Sequence, residues 1–123
     1  MRFKDYKDLV VWQRAIDLVI EVYRIVKVLP QEEVYDLSSQ MRRAAVSIPS
    51  NIAEGYGRNS DNELIRFLNI ASGSLAELET QIIIANRLAL LTHAQTQPVT
   101  ELCKEVGRLN NALIRTIKNG KEI

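Results

Sequence analysis

The segment from Ser60 to about residue 89 constrains the fold more than any other part of the sequence. Its apolar residues recur at steps of three and four: Leu64, Phe67, Leu68, Ala71, Leu75, Leu78, Ile82, Ala85 and Leu88 or Ala89. This spacing places the side chains on one face of an α-helix. At 1.5 Å per residue, about thirty residues form a rod roughly 45 Å long. The segment therefore predicts one long helix with a single buried face.

The start of this helix has its own signal in the run Ser60-Asp-Asn-Glu63. The pattern is a capping box, in which the Ser60 hydroxyl accepts a hydrogen bond from the backbone N–H of Glu63. The Glu63 side chain reaches back toward the backbone of Ser60 in return. The sequence therefore predicts that the long helix begins directly after Ser60.

An earlier segment, which Pro30 closes, shows the same helical spacing. Its predicted buried stripe is Trp12, Ala15, Ile16, Val19, Val22, Tyr23 and Val26. Leu18, Ile25 and Leu29 widen the apolar arc to about half the circumference, whereas a surface helix needs a stripe of only ~100°. We therefore expect part of this face to contact another chain.

The next helix is predicted from about Asp36 to Glu54, ended by Gly55 and Gly57. Its buried stripe is Leu37, Met41, Ala44, Ala45, Ile48 and Ile52. Pro49 lies inside this helix, where a proline removes one N–H donor and crowds the carbonyl four residues back. That costs about 3 kcal/mol unless the helix bends. We therefore predict a helix that is bent at Pro49.

The last predicted helix opens near Pro98 and stops at Gly120, which leaves His93 as a loop residue before it. Its buried stripe is Val99, Leu102, Val106, Leu109, Leu113 and Ile117. No segment alternates with period two between turns, so no strand is predicted. Short connections between long amphipathic helices predict an all-α, antiparallel up-and-down four-helix bundle, in one domain spanning residues 1–123.

Composition limits the classes of function. The chain is 46% hydrophobic and 25% charged, with a net charge of +1, so it has no overall field that would attract nucleic acid or an anionic membrane. Its single cysteine, Cys103, cannot pair within the chain, and no leader segment is apparent, so we expect a reducing cytoplasm. Charged residues interrupt every long apolar region, so no membrane span is predicted.

The stretch from Arg42 to Ser60 admits three interpretations: a phosphate-binding loop, a catalytic turn, or a bent helix with a specific polar side. A phosphate-binding loop needs Gly-Lys-Ser/Thr between a strand and a helix, and this stretch has neither the lysine nor the strand. The polar side of the bent helix would consist of Arg43, Ser47, Ser50, Asn51 and Glu54. These side chains either shape the bend locally or bond to a neighbouring subunit, and both alternatives are open.

No catalytic, cofactor or metal site is predicted. A di-iron bundle needs Glu-x-x-His pairs on facing helices, and this chain has one histidine, His93. Cys103 lies at the edge of an apolar stripe and is predicted to be a packing residue rather than a nucleophile. Glu77 and Glu79 are two positions apart and face different ways on a helix. We therefore expect a protein that is not an enzyme.

Basic residues are the remaining candidates for function. Arg42 and Arg43 are adjacent, Arg58 follows the second helix, and three cations fall on one row of the fourth helix: Lys104, Arg108 and Arg115. Such rows bind phosphates with a salt-dependent affinity. The alternative is an ordinary solvated face with Glu101 and Glu105 nearby. In a ring of subunits, each cluster would be repeated around the axis and its field concentrated.

The sequence also resembles a known family. The stretches "SSQMRRAAVSIPSNIAEGYGR", "ELIRFLNIASGSLAELETQIIIA" and "YKDLVVWQRAIDLVIEVY" resemble the bundle proteins encoded within intervening sequences of bacterial 23S ribosomal RNA genes, called S23 proteins. The resemblance implies a small cytoplasmic bundle that assembles into a ring, commonly a pentamer. A related branch is formed by the accessory variability determinant proteins of diversity-generating retroelements, which associate with a reverse transcriptase and nucleic acid.

The resemblance also suggests roles for individual residues. It makes Arg42, Arg43 and Arg58 the first candidates for a charged contact surface, and it makes Pro49, Asn51 and Glu54 signature positions of structural type. Two functions follow as hypotheses: an oligomeric bundle that contacts RNA or DNA through basic residues, or a protein-interaction scaffold without direct contact to nucleic acid. The scaffold would use the broad apolar arc of the first helix or the polar side of the second.

Overall fold

The computed structural model describes residues 5–30, 32 and 36–121. Within these residues a short 3₁₀ turn at Tyr6–Asp8 precedes four α-helices, and no strand is present. The helices are α1 (Val10–Val26), α2 (Leu37–Tyr56), α3 (Asp61–Arg87) and α4 (His93–Lys118). The predicted all-α architecture is confirmed.

The four helices form a closed order in which each packs mainly against two others: α1 against α2 and α4, and α3 against α2 and α4. Contacts between α2 and α3 fix their relative direction. Ser47 lies against Ser74, while Gly55, later in α2, lies against Phe67, earlier in α3. Helices α3 and α4 are also antiparallel, because Asn86 near the end of α3 bonds to Thr96 near the start of α4, whereas Leu68 early in α3 bonds to Asn110 late in α4. The helices therefore form the predicted antiparallel up-and-down bundle, with α2 and α4 on opposite sides.

The core lies between the four helices, and the stripes predicted for α2 and α3 supply much of it. Its most buried large side chains include Leu18, Met41, Ile48, Ile52, Leu64, Leu68, Leu78, Val99 and Val106. The α3 stripe is confirmed from Leu64 to Ala85. The prediction for the last turn of the stripe was wrong, because α3 ends at Arg87 and Leu88 is 62% exposed.

The buried faces of α1 and α4 are rotated from the predicted ones. In α1 the fully buried Leu18 lies near the centre of the face, whereas Tyr23 is 43% exposed and Trp12 is only partly buried. In α4 the buried positions include Cys103 and Asn110, which the predicted stripe omitted. Apolar residues cover so wide an arc of α1 that spacing alone does not locate its centre, and in α4 a polar residue occupies the centre.

Pro49 lies buried inside α2, as predicted, and the helix continues past it to Tyr56; the bend itself stays a prediction. The predicted end at Gly55 was wrong. Gly55 lies inside the helix, where an added Cβ would be 2.6 Å from the Cβ of Phe67. This glycine therefore serves the close approach of α2 and α3 rather than helix termination. Gly57 caps the helix with right-handed backbone angles.

The helix starts only partly follow the prediction. The Ser60 hydroxyl accepts from the Glu63 N–H at 3.3 Å, but the Glu63 carboxylate pairs with Arg66 at 3.0 Å. A complete capping box occurs at α4, where Thr92 and Gln95 exchange bonds of 3.1 and 2.9 Å. α4 therefore begins at His93, and the predictions that it opens near Pro98 and that His93 is a loop residue were wrong.

The predicted stop at Gly120 is confirmed. Gly120 has φ of +68°, its N–H donates to the carbonyl of Ile117, and the N–H of Lys121 donates to that of Thr116. This is a Schellman motif, in which a left-handed residue satisfies the last carbonyls of a helix. At the end of α3 the left-handed position is taken by Ala89, with φ of +59°.

Candidate nucleic-acid interface

The predicted basic residues do not form one surface in a single chain. Arg42 and Arg43 lie on α2, opposite the α4 cations in the closed helix order. The two arginines also diverge, since successive helical residues are rotated by about 100°. Arg42 lies 6.0 Å from the centre of the Tyr23 ring on α1, whereas Arg43 lines a notch between α2 and α3. Only between neighbouring subunits could these residues share a surface with α4.

Arg58 is held by contacts within the chain. Its guanidinium pairs with Glu54 at 3.5 Å and lies 5.1 Å from the centre of the Phe67 ring. The Arg66 guanidinium also lies over the Phe67 ring, 4.5 Å from its centre. Cation–π contacts of this kind position a guanidinium while leaving it partly exposed. Glu54 thus forms an ion pair at the end of α2, and its role as a signature position stays a prediction.

The cations of α4 form an exposed basic surface. Lys104, Arg108 and Arg115 are exposed at steps of four and seven, and none forms an ion pair with a described residue. Lys118 continues on the same exposed side. From Lys104 to Lys118 the distance along the helix is roughly 21 Å at 1.5 Å per residue. We call these four residues the α4 row.

The acids nearest the α4 row have other partners. Glu105 turns toward α1, where its carboxylate accepts hydrogen bonds of 3.1 and 3.0 Å from Arg14. This contact, the strongest influence on Arg14, holds the pKa of the guanidinium above its ordinary value. Glu101 accepts from the Gln97 amide at 3.1 Å. Arg14 thus neutralises Glu105, whereas Glu101 keeps its negative charge beside the row.

The polar side of α2 faces α3 at two of its predicted positions. The hydroxyls of Ser47 and Ser74 are 2.8 Å apart, and the amide of Asn51 donates to the carbonyl and hydroxyl oxygens of Ser47 at 2.8 and 2.9 Å. Ser47 and Asn51 thus form hydrogen bonds within the chain, and Ser47 joins α2 to α3; a bond to a neighbouring subunit stays a prediction. Ser50 points to the other side of α2 and lines a groove with α1.

That groove is mainly apolar and remains open along the surface. It encloses about 300 Å³ and is lined by Tyr6, Trp12, Ile16, Val19, Val46, Pro49, Ser50 and Ala53. The rings of Tyr6 and Trp12 meet edge to face at 5.4 Å. Exposed Ile20 and Tyr23 extend it along α1. We call this surface the α1–α2 groove; a second exposed apolar patch, the α3 apolar end, consists of Ile83, Ile84 and Leu88.

The candidate nucleophile is unsuited to catalysis. Cys103 is 1% exposed, and burial, with a smaller contribution from Glu79, raises the pKa of its thiol to about 12. The reactive thiolate is therefore scarce at neutral pH. His93 lies on the rim of a cleft between α3 and α4, with Glu79 and Cys103. In the described part of the chain no three His, Cys, Asp or Glu residues are grouped to hold a metal ion.

Sequence reasoning missed several residues that shape these surfaces. Lys118 follows Arg115 by three positions, and the helical step could have added it to the α4 row. Asn110 and Gln81 are buried polar residues within apolar stripes, and no local pattern marks them as buried. The divergence of Arg42 and Arg43 could have been predicted, because adjacent residues on a helix never share a direction.

These observations define an all-α four-helix bundle with an exposed basic row and an open apolar groove. None of the described helices has the length and apolarity that crossing a membrane requires. Residues 7–112 match the sequence profile of the 23S rRNA-intervening sequence protein family, and the chain belongs to that family.

The fold is also similar to a solved structure. A Bacteroides thetaiotaomicron protein of unknown function from the S23 ribosomal protein family is 25% identical to this chain, with a TM-score of 0.80. The likeness covers 87% of this chain and 100% of that one. The comparison with curated proteins finds no significant match. The family and the fold thus agree, and nothing in either indicates catalysis.

Proposed function

We propose that the chain is a non-enzymatic, cytoplasmic bundle that self-associates and contacts RNA through the α4 row. The observation that carries this proposal is the row itself: exposed cations on one side of α4, without ion pairs to described residues. Phosphates bind such cations by releasing counterions. The sequence resembles S23 proteins, of which the accessory variability determinant proteins are a related branch, and a nucleic-acid partner is proposed by analogy with that branch; DNA is the alternative polyanion.

Self-association is supported by two different apolar surfaces. The α1–α2 groove is lined by aromatic and branched side chains, and the α3 apolar end lies on a helix diagonally across from α1. Contact between unlike patches on two copies is heterologous, and such contacts close into rings when the rotation allows. We propose a ring, with five subunits as the number that the family resemblance favours. In a ring the α4 row recurs once per subunit.

Nucleic-acid binding can be tested by retention of a structured RNA at low and moderate salt. In the test variant Lys104, Arg108 and Arg115 are replaced by Gln. A charge-matched control replaces Lys7, Lys27 and Arg87, which are exposed away from α4. Removal of each cation that binds a phosphate should reduce the salt slope by ~0.7–0.9, so the slope of the test variant should fall by about 2–3. No binding at low salt, or equal losses in the two variants, would refute the role of the row.

Arg42 and Arg43 require a separate measurement, because α2 lies opposite α4. Both are replaced by Glu in an otherwise unchanged chain, and RNA retention is compared with that of the α4-row variant. If subunits bring α2 and α4 together, both variants should lose affinity. A reduced affinity in the α4-row variant alone would restrict the contact to α4.

Assembly can be tested by native mass measurement. Replacement of Ile20 or Val46 by Glu places charge on an exposed part of the α1–α2 groove, so the subunit should fold but not associate. Val28, also exposed but absent from the groove lining, provides the control as Val28→Glu. A single-chain mass for the unaltered protein would contradict the ring.

The same groove supports the second candidate, a scaffold that docks another protein. Aromatic and aliphatic linings of this kind are typical of protein contacts. If the unaltered chain has a single-subunit mass and the Ile20 variant loses a captured protein partner that the Val28 variant keeps, the scaffold function is favoured over the ring.

A further inference from the structure

The cleft between α3 and α4 takes no part in the proposed function. It encloses about 280 Å³. One water molecule occupies ~30 Å³ of the liquid, so the cleft has room for about nine of them. Sites for drug-sized ligands begin near ~300 Å³, and the cleft lies just below that range. It therefore suits a small organic ligand.

The floor of the cleft consists of its most buried lining residues, Ile82, Thr96 and Cys103. The Cys103 thiol is neutral at physiological pH, because burial raises its pKa to about 12. The Thr96 hydroxyl accepts from the Asn86 amide at 3.3 Å, and that amide also donates to the Leu91 carbonyl at 3.0 Å. A ligand that reaches the floor therefore meets an apolar side chain and polar groups that already have partners.

The rim of the cleft carries a negative charge. Glu79 is exposed on α3 and is the only acid among the described residues that line the cleft. Its charge also contributes to the raised pKa of the Cys103 thiol, so the carboxylate lies on the cleft side of α3. Glu79 forms no ion pair with any described residue, including Lys104 next to Cys103. The cleft thus presents an unpaired carboxylate above a floor without charge.

We infer that this cleft binds an alkylammonium ion, which is a small protonated amine with an apolar chain. An ammonium group has three donors and no acceptor. At the rim it can donate to the Glu79 carboxylate and to the Thr100 hydroxyl, which also lines the cleft. The chain then covers Ile82 and Cys103 and leaves water. Glu79 repels an anion, and a second charge on the floor would lose its hydration without gaining a partner.

The order of these groups selects a free amine rather than a lysine side chain. The charge lies at the rim and the apolar surface lies below it, so the ligand enters with its chain first. A lysine side chain presents its ammonium group first, because its methylenes are attached to the peptide. The cleft therefore matches a free primary amine of up to about nine non-hydrogen atoms. This inference does not depend on the proposed contact with RNA.

The test titrates the full chain with n-hexylamine at pH 7 and follows the isoleucine methyl groups by NMR. The amine is protonated at this pH, because its pKa is close to the ~10.4 of lysine. The Ile82 and Ile83 methyl signals should shift with a Kd on the order of 1–10 mM. The neutral 1-hexanol should bind about fivefold more weakly, and hexanoate should shift neither signal. With n-butylamine, binding should weaken roughly tenfold, at about three- to fourfold per methylene.

Two pairs of variants at exposed positions of α3 locate the site without disturbing the fold. Glu79→Gln should weaken binding of hexylamine about fivefold, to the affinity of the alcohol. Its control, Glu77→Gln, removes the same charge from the side that faces α2 and should have no effect. Ile83→Ala should weaken binding about threefold, because it removes apolar surface from the cleft. Ile84→Ala, outside the lining, should not.

Several results would overturn the inference. Equal affinities for hexylamine and 1-hexanol would mean that the cleft accepts apolar chains without selecting a charge. Unchanged binding in Glu79→Gln would place the ammonium group elsewhere, and no shift of the Ile82 methyl signal at about 50 mM amine would leave the cleft without this ligand. If Nα-acetyl-lysine methylamide bound as tightly as hexylamine, the site would belong to a lysine side chain rather than to a free amine.

Discussion

The two seams on either side of α3 are built differently. Toward α2, Gly55 faces Phe67 and the hydroxyls of Ser47 and Ser74 meet, so small groups let the two backbones approach along much of their length. Toward α4, closely spaced backbone positions are fewer and a cleft of about 280 Å³ remains open. Small side chains thus bring the α2 and α3 backbones together beside an open notch of about 230 Å³, whereas the α4 seam depends on longer polar ones.

Two asparagine side chains, Asn86 and Asn110, form the polar contacts on the α4 side of α3. Asn110 donates at 2.9 Å both to the Leu68 carbonyl and to the Ser72 hydroxyl, and Asn86 donates to the Leu91 carbonyl at 3.0 Å and to the Thr96 hydroxyl at 3.3 Å. The amide donors are satisfied in one geometry, although the Oδ1 of Asn110 is buried without a partner among the described residues, whereas apolar groups tolerate small shifts. The α4 seam is therefore specified by few contacts, each of which matters.

The largest expected effect is at Asn110, which is almost wholly buried. Asn110→Asp replaces the donating amide by a carboxylate next to the Leu68 carbonyl and should lower the free energy of unfolding by about 3–5 kcal/mol at pH 7. Urea denaturation measures it. Asn111→Asp, one exposed position later, should change it by less than about 0.5 kcal/mol. Equal stabilities for the two variants would show that the amide does not hold the α4 seam.

The next effect compares glycines in the two seams. At Gly55 an added Cβ meets the Phe67 Cβ at 2.6 Å, whereas at Gly107 its nearest neighbour is a terminal methyl of Leu75 at 3.4 Å. Gly55→Ala should therefore cost about 1–2 kcal/mol, since overpacking costs ~1–3 and helix propensity returns up to ~1. Gly107→Ala should be neutral or stabilising. Thermal or urea unfolding of both variants decides it, and the same sign for both would remove the distinction between the seams.

Stability at alkaline pH tests whether the Cys103 thiol, which lines the cleft between α3 and α4, is shielded from water. The buried Cys103 thiol keeps its proton to about pH 12, while in the unfolded chain it ionises near 9.0. Because the folded state then holds more protons, this group destabilises the fold as pH rises above 9. Its contribution should reach about 1.4 kcal/mol at pH 10. Cys103→Ala should abolish that part of the pH dependence. If the free energy of unfolding falls with pH as steeply in Cys103→Ala as in the unaltered chain, the thiol is not shielded from water.

The smallest effect concerns the ends of the two helices that form this seam. Ala89 after α3 and Gly120 after α4 both have positive φ. Left-handed backbone costs residues with a Cβ about 1 kcal/mol relative to glycine. Ala89→Gly should therefore stabilise the protein, and Gly120→Ala should destabilise it, each by about 1 kcal/mol in urea denaturation. A loss of stability in Ala89→Gly would contradict the strain assigned to that turn.

The contrast between the two seams of α3 also explains which features of the fold could be predicted from the sequence. Helix spacing predicted four helices, their antiparallel order, the proline within α2 and the stop at Gly120. It placed Gly55 at a helix end because glycine has two uses, and only the position of Phe67 reveals which one applies. It missed Asn110 because a polar residue in an apolar stripe looks the same whether buried or exposed.

For the candidate interface, sequence reasoning identified the cations but not their directions. Lys104, Arg108 and Arg115 share a row because their spacing matches the helical repeat. Arg42 and Arg43 are neighbours in sequence, yet one lies beside α1 and the other beside α3. The partner of Glu105 depends on which helix lies alongside, which no local pattern encodes, whereas the pair of Glu54 and Arg58 follows the local i,i+4 spacing.

Because α3 packs against both α2 and α4, changes in its length affect two seams at once. One residue inserted between Leu68 and Ser74 would turn the rest of the helix by about 100°. Ser74 and Gln81 would then leave α2, even though Leu68 could keep its bond to Asn110. An insertion beyond Lys118 would disturb neither seam. Helix α3 therefore sets the spacing of both of its own seams, while a change beyond Lys118 affects neither.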